Sequence, residues 1–354
     1  MAATPMSHRT DLPTVPLGST GMRITRTGFG AWAIGGGGWT FGWGPQDDGA
    51  SVAAIRRALE RGINWIDTAA AYGLGHSEEI VARALRGLPA ADRPLVFTKC
   101  GLVWDEHDHA APPRRMGSPK RLREGIEGSL RRLGVERIDL FQMHWPAEDG
   151  TPLEDYWGTL LQLKAEGKAR AVGLSNHTAA QLEAAERIGH VETLQPHFSA
   201  ISRGAAADEL PWCAAHGTGV IVYSPMNAGL LTGAFTAERA ARLGADDWRS
   251  RAPEFSGERL RRNLELAAAL RPIAERHACQ PGAVAVAWTL AWPGVTGAIV
   301  GARSPGQVDG WHAAATLALG PADLDEIAAA IGRSGAGAGP ARPPASPPGA
   351  PGSH

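Results

Sequence analysis

Hydrophobic positions follow two alternating patterns along most of this chain. Short apolar runs, typical of buried strands, are followed by longer segments in which apolar residues recur every three or four positions, as on one face of a helix. Repeated strand-then-helix units predict parallel strands with helices packed outside them. After a hairpin predicted at residues 17–30, the predicted strands are residues 28–35, 64–67, 95–99, 138–144, 169–175, 191–197, 219–224 and 297–301.

Two folds of the α/β class fit this alternation, an open doubly wound sheet and a closed (β/α)8 TIM barrel. Eight units favour the barrel, here with an N-terminal β-hairpin and extra C-terminal helices. The clearest helix start is Ser118-Pro119, an N-cap followed by proline in the first turn, and Gly134 predicts the end of the same helix. Ser77 is predicted to cap another helix.

Length and local composition set the domain boundaries. Residues 1–333 are predicted to form one domain, because α/β barrels commonly reach this length as a single unit. Residues 334–354 are almost entirely Gly, Ala, Pro and Ser and are expected to be a disordered tail, since they offer little apolar surface to bury. The uncharged segment 282–302 is long enough to span a bilayer, but Pro293-Gly294 interrupts it. A buried helix, a turn and a buried strand are predicted there instead.

Charge and cysteine content narrow the classes of function. A formal net charge of −1 gives no reason to expect nucleic acid or an anionic membrane as a partner. Cys100, Cys213 and Cys279 are widely spaced, which argues against a disulfide framework or a zinc site, and no metal is expected. The N-terminus lacks the apolar core of a secretory signal, so a cytoplasmic location is expected.

Polar side chains cluster at the ends of three successive predicted strands. Asp67 ends the second strand and is soon followed by Tyr72. Lys99 ends the third strand and His144 the fourth. In a parallel barrel, reactive groups collect at these carboxyl ends, so the four side chains are expected to meet there. A single Lys–Asp pair is as often a structural ion pair as a functional one, but four such groups together favour a site.

The chemistry of these groups suits carbonyl reduction. A buried Lys99 and Asp67 should pair, since neither charge is stable alone in a protein interior. We expect this pair to leave positive charge near Tyr72 and so to lower the pKa of its phenol. A hydride acceptor needs a proton and hydrogen-bond donors at the carbonyl oxygen, where negative charge develops.

Longer segments around these residues resemble the aldo-keto reductase superfamily. The similar segments run from the first hairpin to about Ile331 and include GINWIDTAAAYGLGHSEEIVARAL, LVFTKCG, IDLFQMHWP, GKARAVGLSNH, VIVYSPMNAGLLTG and AIVGARSPGQV. The family's catalytic tetrad matches Asp67, Tyr72, Lys99 and His144. The resemblance implies an oxidoreductase that reduces a small aldehyde or ketone by hydride transfer from NADPH. It also implies that Tyr72 is the general acid, that Lys99 and Asp67 adjust the pKa of its phenol, and that His144 orients the carbonyl.

The resemblance also implies an extended NADPH site without a Rossmann domain. The glycine run 35–38 lacks the dinucleotide fingerprint, which agrees with this. Arg303 and Ser304, at the start of a helix, are expected to bind the 2′-phosphate and so to favour NADPH. Asp247 and Arg249 are candidates for a loop that folds over the cofactor. The implied cofactor residues are Trp32 at the substrate pocket, Ser175, Asn176, Gln195 and Tyr223 at the nicotinamide, Ser224, Pro225, Met226, Gly229 and Leu230 along the pyrophosphate, and Gly301, Arg303, Ser304 and Gln307 at the adenosine.

Two other functions fit parts of the same pattern. Members of the superfamily also act as NADPH-binding regulatory β subunits of channels, although the complete tetrad argues for an enzyme. A barrel isomerase or lyase could use Lys99 as a Schiff-base amine, but pairing with Asp67 should keep that amine protonated. The protein is expected to be a monomer or a small homo-oligomer. His107 and His109 sit in a charged loop without further ligands and are not expected to bind metal.

Overall fold

The chain folds into a closed barrel of eight parallel strands in a computed structural model that describes residues 10–344. The barrel strands follow one another in chain order, and the last pairs with the first, which confirms the predicted (β/α)8 class. Its strands are β3 (Thr27–Gly30), β4 (Trp65–Asp67), β5 (Leu95–Cys100), β8 (Ile138–Met143), β9 (Ala169–Ser175), β10 (Thr193–Gln195), β11 (Gly219–Tyr223) and β12 (Val295–Gly301). The remaining strands form two hairpins, β1 (Thr14–Pro16) with β2 (Arg23–Thr25) and β6 (Leu102–Val103) with β7 (Arg114–Arg115).

Helices surround the barrel and bury their apolar faces against the outer surface of the strands. The helices α1 to α6 are Asp48–Glu60, His76–Leu85, Pro119–Leu133, Leu153–Ala165, Ala179–Glu186 and Glu209–His216. The helices α7 to α12 are Ala237–Ala241, Gly257–Ala269, Arg271–Arg276, Pro281–Leu290, Pro305–Trp311 and Pro321–Ser334. The uncharged segment 282–302 divides into α10 and β12, as predicted from the proline and glycine that interrupt it. Within residues 10–344, no helix combines the length and apolar composition needed to cross a lipid bilayer.

The interior of the barrel is filled by side chains, and the first hairpin closes its amino-terminal end. Leu17, Met22 and Ile24 of that hairpin pack against the inner layer that contains Trp65 and Phe97. This apolar filling occupies the lower half of the barrel, so polar side chains can gather only at the opposite, carboxyl end of the strands.

The Trp65 indole fills this lower layer because the neighbouring strand carries glycine. Its Nε1 donates to the backbone oxygen of Thr25 at 2.9 Å. A Cβ added at Gly28 would overlap the indole ring itself. The packing of the barrel floor therefore requires glycine at this position.

We expect Gly28→Ala to lower the free energy of unfolding by about 2 kcal/mol or more, because an overpacked core must displace a fully buried ring. Urea unfolding of the purified protein measures this. Gly158→Ala in α4 is the matched control, since a Cβ there meets nothing within 4 Å and alanine favours helix. Equal stability of the two variants would contradict the proposed packing.

The two predicted helix starts have different outcomes. Helix α3 begins after Ser118 and ends before Gly134, which adopts a left-handed φ of 65°, as predicted. The cap assigned to Ser77 is wrong, because α2 begins one residue earlier, after Gly75 with φ 104°. The Ser77 hydroxyl instead donates to the backbone oxygen of Ala31 at 2.8 Å. It ties the helix to the strand ends rather than capping it.

The expected disordered tail needs correction at its start. Ser334 ends α12, Ala336 is buried, and Ala338 pairs with Ser202 in the segment that follows β10. The guanidinium of Arg203, itself buried, donates to the backbone oxygens of Ala336 at 3.0 Å and Gly339 at 3.1 Å. These backbone contacts compensate for the low apolar content on which the expectation rested. The described part of the chain does not include residues 1–9 and 345–354. The expectation that the N-terminus is not a secretory signal falls on the first of these two segments.

Candidate active site

Two neighbouring strand ends bring a lysine, an aspartate and a tyrosine into contact. Asp67 is the last residue of β4, and Tyr72 lies in a short turn that follows it. Lys99, near the end of β5, directs its Nζ to the Asp67 carboxylate and to the backbone oxygen of Thr68 at 3.0 Å. The same Nζ lies 3.3 Å from the Tyr72 hydroxyl. The three side chains therefore meet, as predicted.

His144 and Trp32 flank the Tyr72 ring. The His144 imidazole meets the phenol ring edge-on, with 5.7 Å between ring centroids. Trp32 stacks on the phenol at 6.2 Å. Burial lowers the pKa of His144 well below that of a free histidine, and the charges of Lys99 and Arg115 lower it further. His144 is therefore neutral at physiological pH and can donate or accept one hydrogen bond through each ring nitrogen.

The expected lowering of the Tyr72 pKa is wrong for this arrangement. Burial raises the pKa of the phenol well above that of a free tyrosine, and the Asp67 carboxylate raises it further. The Lys99 ammonium lies 3.3 Å from the Tyr72 hydroxyl and is also bound to Asp67 at closer range. Tyr72 consequently carries its proton at neutral pH, the form that a proton donor needs.

A layer of amides lies beneath this cluster. Gln195 donates from its Nε2 to the second oxygen of Asp67 at 2.9 Å. Ser175 donates to the backbone oxygen of Gln195 at 2.9 Å. Burial raises the pKa of the Asp67 carboxyl, whereas Lys99 and Gln195 oppose this shift by stabilising the carboxylate. Two of the residues that the sequence assigns to the cofactor thus also support the tetrad.

Asn176 and Tyr223 extend this layer on the His144 side. Asn176 donates to the backbone oxygen of His144 at 2.9 Å and accepts a hydrogen bond from the Tyr223 hydroxyl at 2.8 Å. Asn176 adopts a left-handed φ of 62°, a conformation that asparagine tolerates better than most residues. The Tyr223 ring stacks on His197 at 4.9 Å, which holds it in a fixed orientation.

A cavity of about 870 Å³ extends from Tyr72 to the start of α11. Glycines line its wall at positions 229, 301 and 306. A Cβ added at Gly306 would meet open space, and at the other two positions it would meet only distant atoms. The predicted cofactor residues that line it are Trp32, Tyr223, Ser224, Pro225, Met226, Gly229, Gly301, Arg303 and Gln307. Leu230 is buried in the outer core instead, and Ser304 occupies the N-cap position of α11.

Positive charge gathers at the far end of this cavity. Arg303 donates from Nε to the Gln46 side chain at 2.6 Å and from its terminal nitrogens to the backbone oxygens of Trp43 and Pro45. These contacts leave part of its donor set free. Arg239 and Arg249 line the same cavity, and both lower the pKa of Arg303, although burial lowers it more. Cations gathered at one end of a cavity favour an anionic ligand there.

Two loops, residues 39–46 and 244–251, form a roof over the cavity. Asp247 and Arg249 form a buried ion pair at 2.5 Å, and the Arg249 guanidinium lies over the Trp43 ring. The amide of Trp248 donates to the backbone oxygen of Gly42 at 3.0 Å. The Trp248 ring stacks on Trp32 at 5.2 Å. The loop of residues 244–251, which contains Asp247 and Arg249, therefore covers the cavity next to Tyr72.

Taken together, these groups can protonate an oxygen in a largely apolar, covered site. The Tyr72 hydroxyl sits beside a buried ammonium that can stabilise the phenolate and a neutral imidazole that can donate to an oxygen on which negative charge develops. Two site residues were not singled out from the sequence: Arg239 and Gln142. Arg239 lies in α7, which has only five residues and is too short for a periodic pattern. Gln142 was indicated only by its position on an inward face of the strand.

Comparison with known proteins agrees with this geometry. The model of the Aldo/keto reductase family matches residues 28–331. An aldo-keto reductase of Bacillus subtilis is 35% identical over 294 residues, 83% of this chain and 86% of that protein. An NADH-specific methylglyoxal reductase of Escherichia coli is 34% identical over 331 residues, 90% of this chain and 99% of that protein.

Two solved structures share the fold. A glycerol dehydrogenase from Gluconobacter oxydans superposes with a TM-score of 0.81 at 37% identity, covering 91% of this chain and 95% of that one. The holo form of an aldo-keto reductase from Bacillus halodurans gives a TM-score of 0.70 at 23% identity over 90% and 96% of the two chains. At that identity the second likeness concerns the fold alone.

Proposed function

Since this chain belongs to the aldo/keto reductase family, we propose that it reduces an aldehyde or ketone with hydride from NADPH and that Tyr72 is the general acid. The oxidoreductase class follows from family membership, whereas the cofactor choice and the residue roles are the proposal. The observation that carries it is the contact of the Lys99 ammonium with both the Asp67 carboxylate and the Tyr72 hydroxyl.

The chain's residues divide the proton chemistry between them. When bound, the reduced nicotinamide supplies a hydride to the carbonyl carbon. Tyr72 gives its proton to the carbonyl oxygen, and Lys99 stabilises the phenolate that this transfer leaves. Neutral His144 donates a hydrogen bond to the same oxygen and so selects its orientation. The roof over Tyr72 excludes water, which strengthens each of these electrostatic interactions.

The cavity fits an extended dinucleotide. Its bare glycine wall allows a diphosphate to approach the backbone, and the three arginines at its far end complement phosphate charge. We assign Ser175, Asn176 and Gln195 to the carboxamide from the family resemblance alone, since they lie next to the tetrad and do not line the cavity. Arg303 keeps free donors for a 2′-phosphate, which is the basis for proposing NADPH although a relative of similar identity is NADH-specific.

Arg303→Leu is expected to raise KM for NADPH about tenfold or more, because a charge-assisted hydrogen bond contributes about 1.5–3 kcal/mol. KM for NADH, which lacks the 2′-phosphate, should change much less. Gln46→Leu is the control, since it removes an anchor of Arg303 on the roof without removing the charge. Steady-state kinetics with both cofactors measure this. Equal losses for NADPH and NADH would contradict a role in cofactor choice.

The proposed function as a whole is tested by turnover. Purified protein mixed with NADPH and a panel of small aldehydes, α-oxoaldehydes and ketones should consume the near-ultraviolet absorbance of NADPH and form the alcohol. Binding of NADPH without turnover on the whole panel would instead favour the role of a cofactor-binding regulatory subunit.

A further inference from the structure

Gln142 is a fully buried amide in the barrel interior that the reaction described above does not use. It lies on β8 with its Cα paired to that of Lys99. The layer beneath it is apolar and includes Phe97 and Leu140. Its Nε2 has no hydrogen-bond partner among residues 10–344. Burying a donor without a partner costs about 1–3 kcal/mol, so an apolar residue would suit stability better.

The contacts of Gln142 lead to the catalytic ion pair. Its Oε1 lies 3.5 Å from the Nε2 of Gln195, and that same Nε2 donates to Asp67 at 2.9 Å. Both hydrogens of the Gln195 amide are thereby directed toward Gln142 and Asp67, which fixes the orientation of the amide. Gln142 also stabilises the charged form of Asp67 and so lowers the pKa of that carboxyl against the effect of burial.

We propose that Gln142 is a positioning residue for the reaction, which fixes the Asp67 carboxylate through Gln195 and thereby holds Lys99 against Tyr72. This inference rests on the proposed function for its catalytic meaning, but the electrostatic link can be measured without cofactor or substrate. Gln142 does not itself line the cavity, so it acts only through its neighbours.

The link predicts opposite effects for two substitutions of similar size. Gln142→Met removes the amide that stabilises the Asp67 carboxylate, so the ion pair weakens and the pKa of Lys99 should fall. Gln142→Glu keeps an acceptor for Gln195 and adds a carboxylate, so the pKa of Lys99 should rise. A purely structural role would change stability in both variants without moving this titration in opposite directions.

The chain is well suited to this measurement because it has few lysines: Lys99, Lys120, Lys164 and Lys168. NMR titration of lysine labelled with carbon-13 at Cε therefore gives few signals, and Lys99 is the buried one. Its signal is assigned by its loss in Lys99→Met. Leu140→Met, on the same face of β8 and away from the tetrad, is the control and should leave the Lys99 titration unchanged.

We expect the Lys99 titration to move down in Gln142→Met and up in Gln142→Glu, relative to the wild-type protein and the control. Unchanged Lys99 titration in a folded Gln142 variant would overturn the proposal, and if one variant fails to fold the other decides. In turnover assays, Gln142→Met should lower kcat about tenfold with KM for NADPH nearly unchanged, because small displacements of catalytic groups cost this much. If wild-type protein shows no turnover, the proposed function fails while the titration still tests the link.

Discussion

Tyr72→Phe is expected to lower kcat for carbonyl reduction by about 10²–10⁴-fold, the contribution typical of a positioned general acid. The variant keeps the ring that stacks on Trp32 and meets His144, and it loses only the hydroxyl 3.3 Å from Lys99. Lys99 retains Asp67 and the backbone oxygen of Thr68, so the fold and the affinity for NADPH should be nearly unchanged. Single-turnover kinetics and fluorescence titration with NADPH separate these quantities.

Tyr156→Phe is the matched control for this substitution. Tyr156 is 2% exposed, and its hydroxyl forms a hydrogen bond with His177 at 2.9 Å, on the outer side of the barrel. Its loss should lower the free energy of unfolding by about 1 kcal/mol and leave kcat as it is. Wild-type kcat in Tyr72→Phe, or an equal loss in both variants, would mean that Tyr72 does not donate the proton.

Lys99→Met is expected to lower both stability and activity. Asp67 and Lys99 are 2% and 1% exposed, so removing the ammonium leaves a buried carboxylate without its partner. Such a loss costs about 3–5 kcal/mol in the free energy of unfolding at neutral pH. The remaining Asp67 then has a raised pKa, so its penalty is absent at acid pH, where the carboxyl is protonated in folded and unfolded states alike. The loss of stability grows as the pH rises.

The double variant Asp67→Asn with Lys99→Met separates the two effects. With both charges gone, this ion pair leaves no unpaired charge behind, and stability should return close to that of the wild-type protein. Activity should stay about 10²-fold or more below wild type, because the phenolate that Tyr72 leaves has no ammonium beside it. Urea unfolding and steady-state kinetics on the wild-type protein, the single variants Asp67→Asn and Lys99→Met, and the double variant measure both. Recovered activity in the double variant would show that the ion pair serves stability alone.

The sequence was sufficient for the barrel because each unit repeats one physical pattern. The apolar strands and amphipathic helices were each visible over several residues, and Gly134 marked a helix end by its conformational freedom. Single positions were less certain. Ser77 follows the true start of α2, since Gly75 already supplies the left-handed turn that begins it. Its hydroxyl serves a tertiary contact, which no local pattern encodes.

The site was predictable where it depends on strand ends and less so where it depends on long-range contacts. Asp67, Lys99 and His144 follow from alternation along neighbouring predicted strands, and Tyr72 follows from its place just after one of them. The raised pKa of Tyr72 does not, because it depends on how completely the roof and Asp67 surround the phenol. Arg303 was expected to bind a phosphate, but its guanidinium also forms hydrogen bonds with the loop of residues 43–46, more than 250 residues earlier in the chain.

The central claim is direct hydride transfer to a carbonyl carbon, and isotope transfer tests it most directly. NADPH that carries deuterium at the transferring position of C4 is incubated with the wild-type protein and an aldehyde on which it turns over. Mass spectrometry of the product should find one deuterium on the alcohol carbon, and Tyr72→Phe should form this product far more slowly. An alcohol without deuterium, or oxidised cofactor without alcohol, would contradict the account.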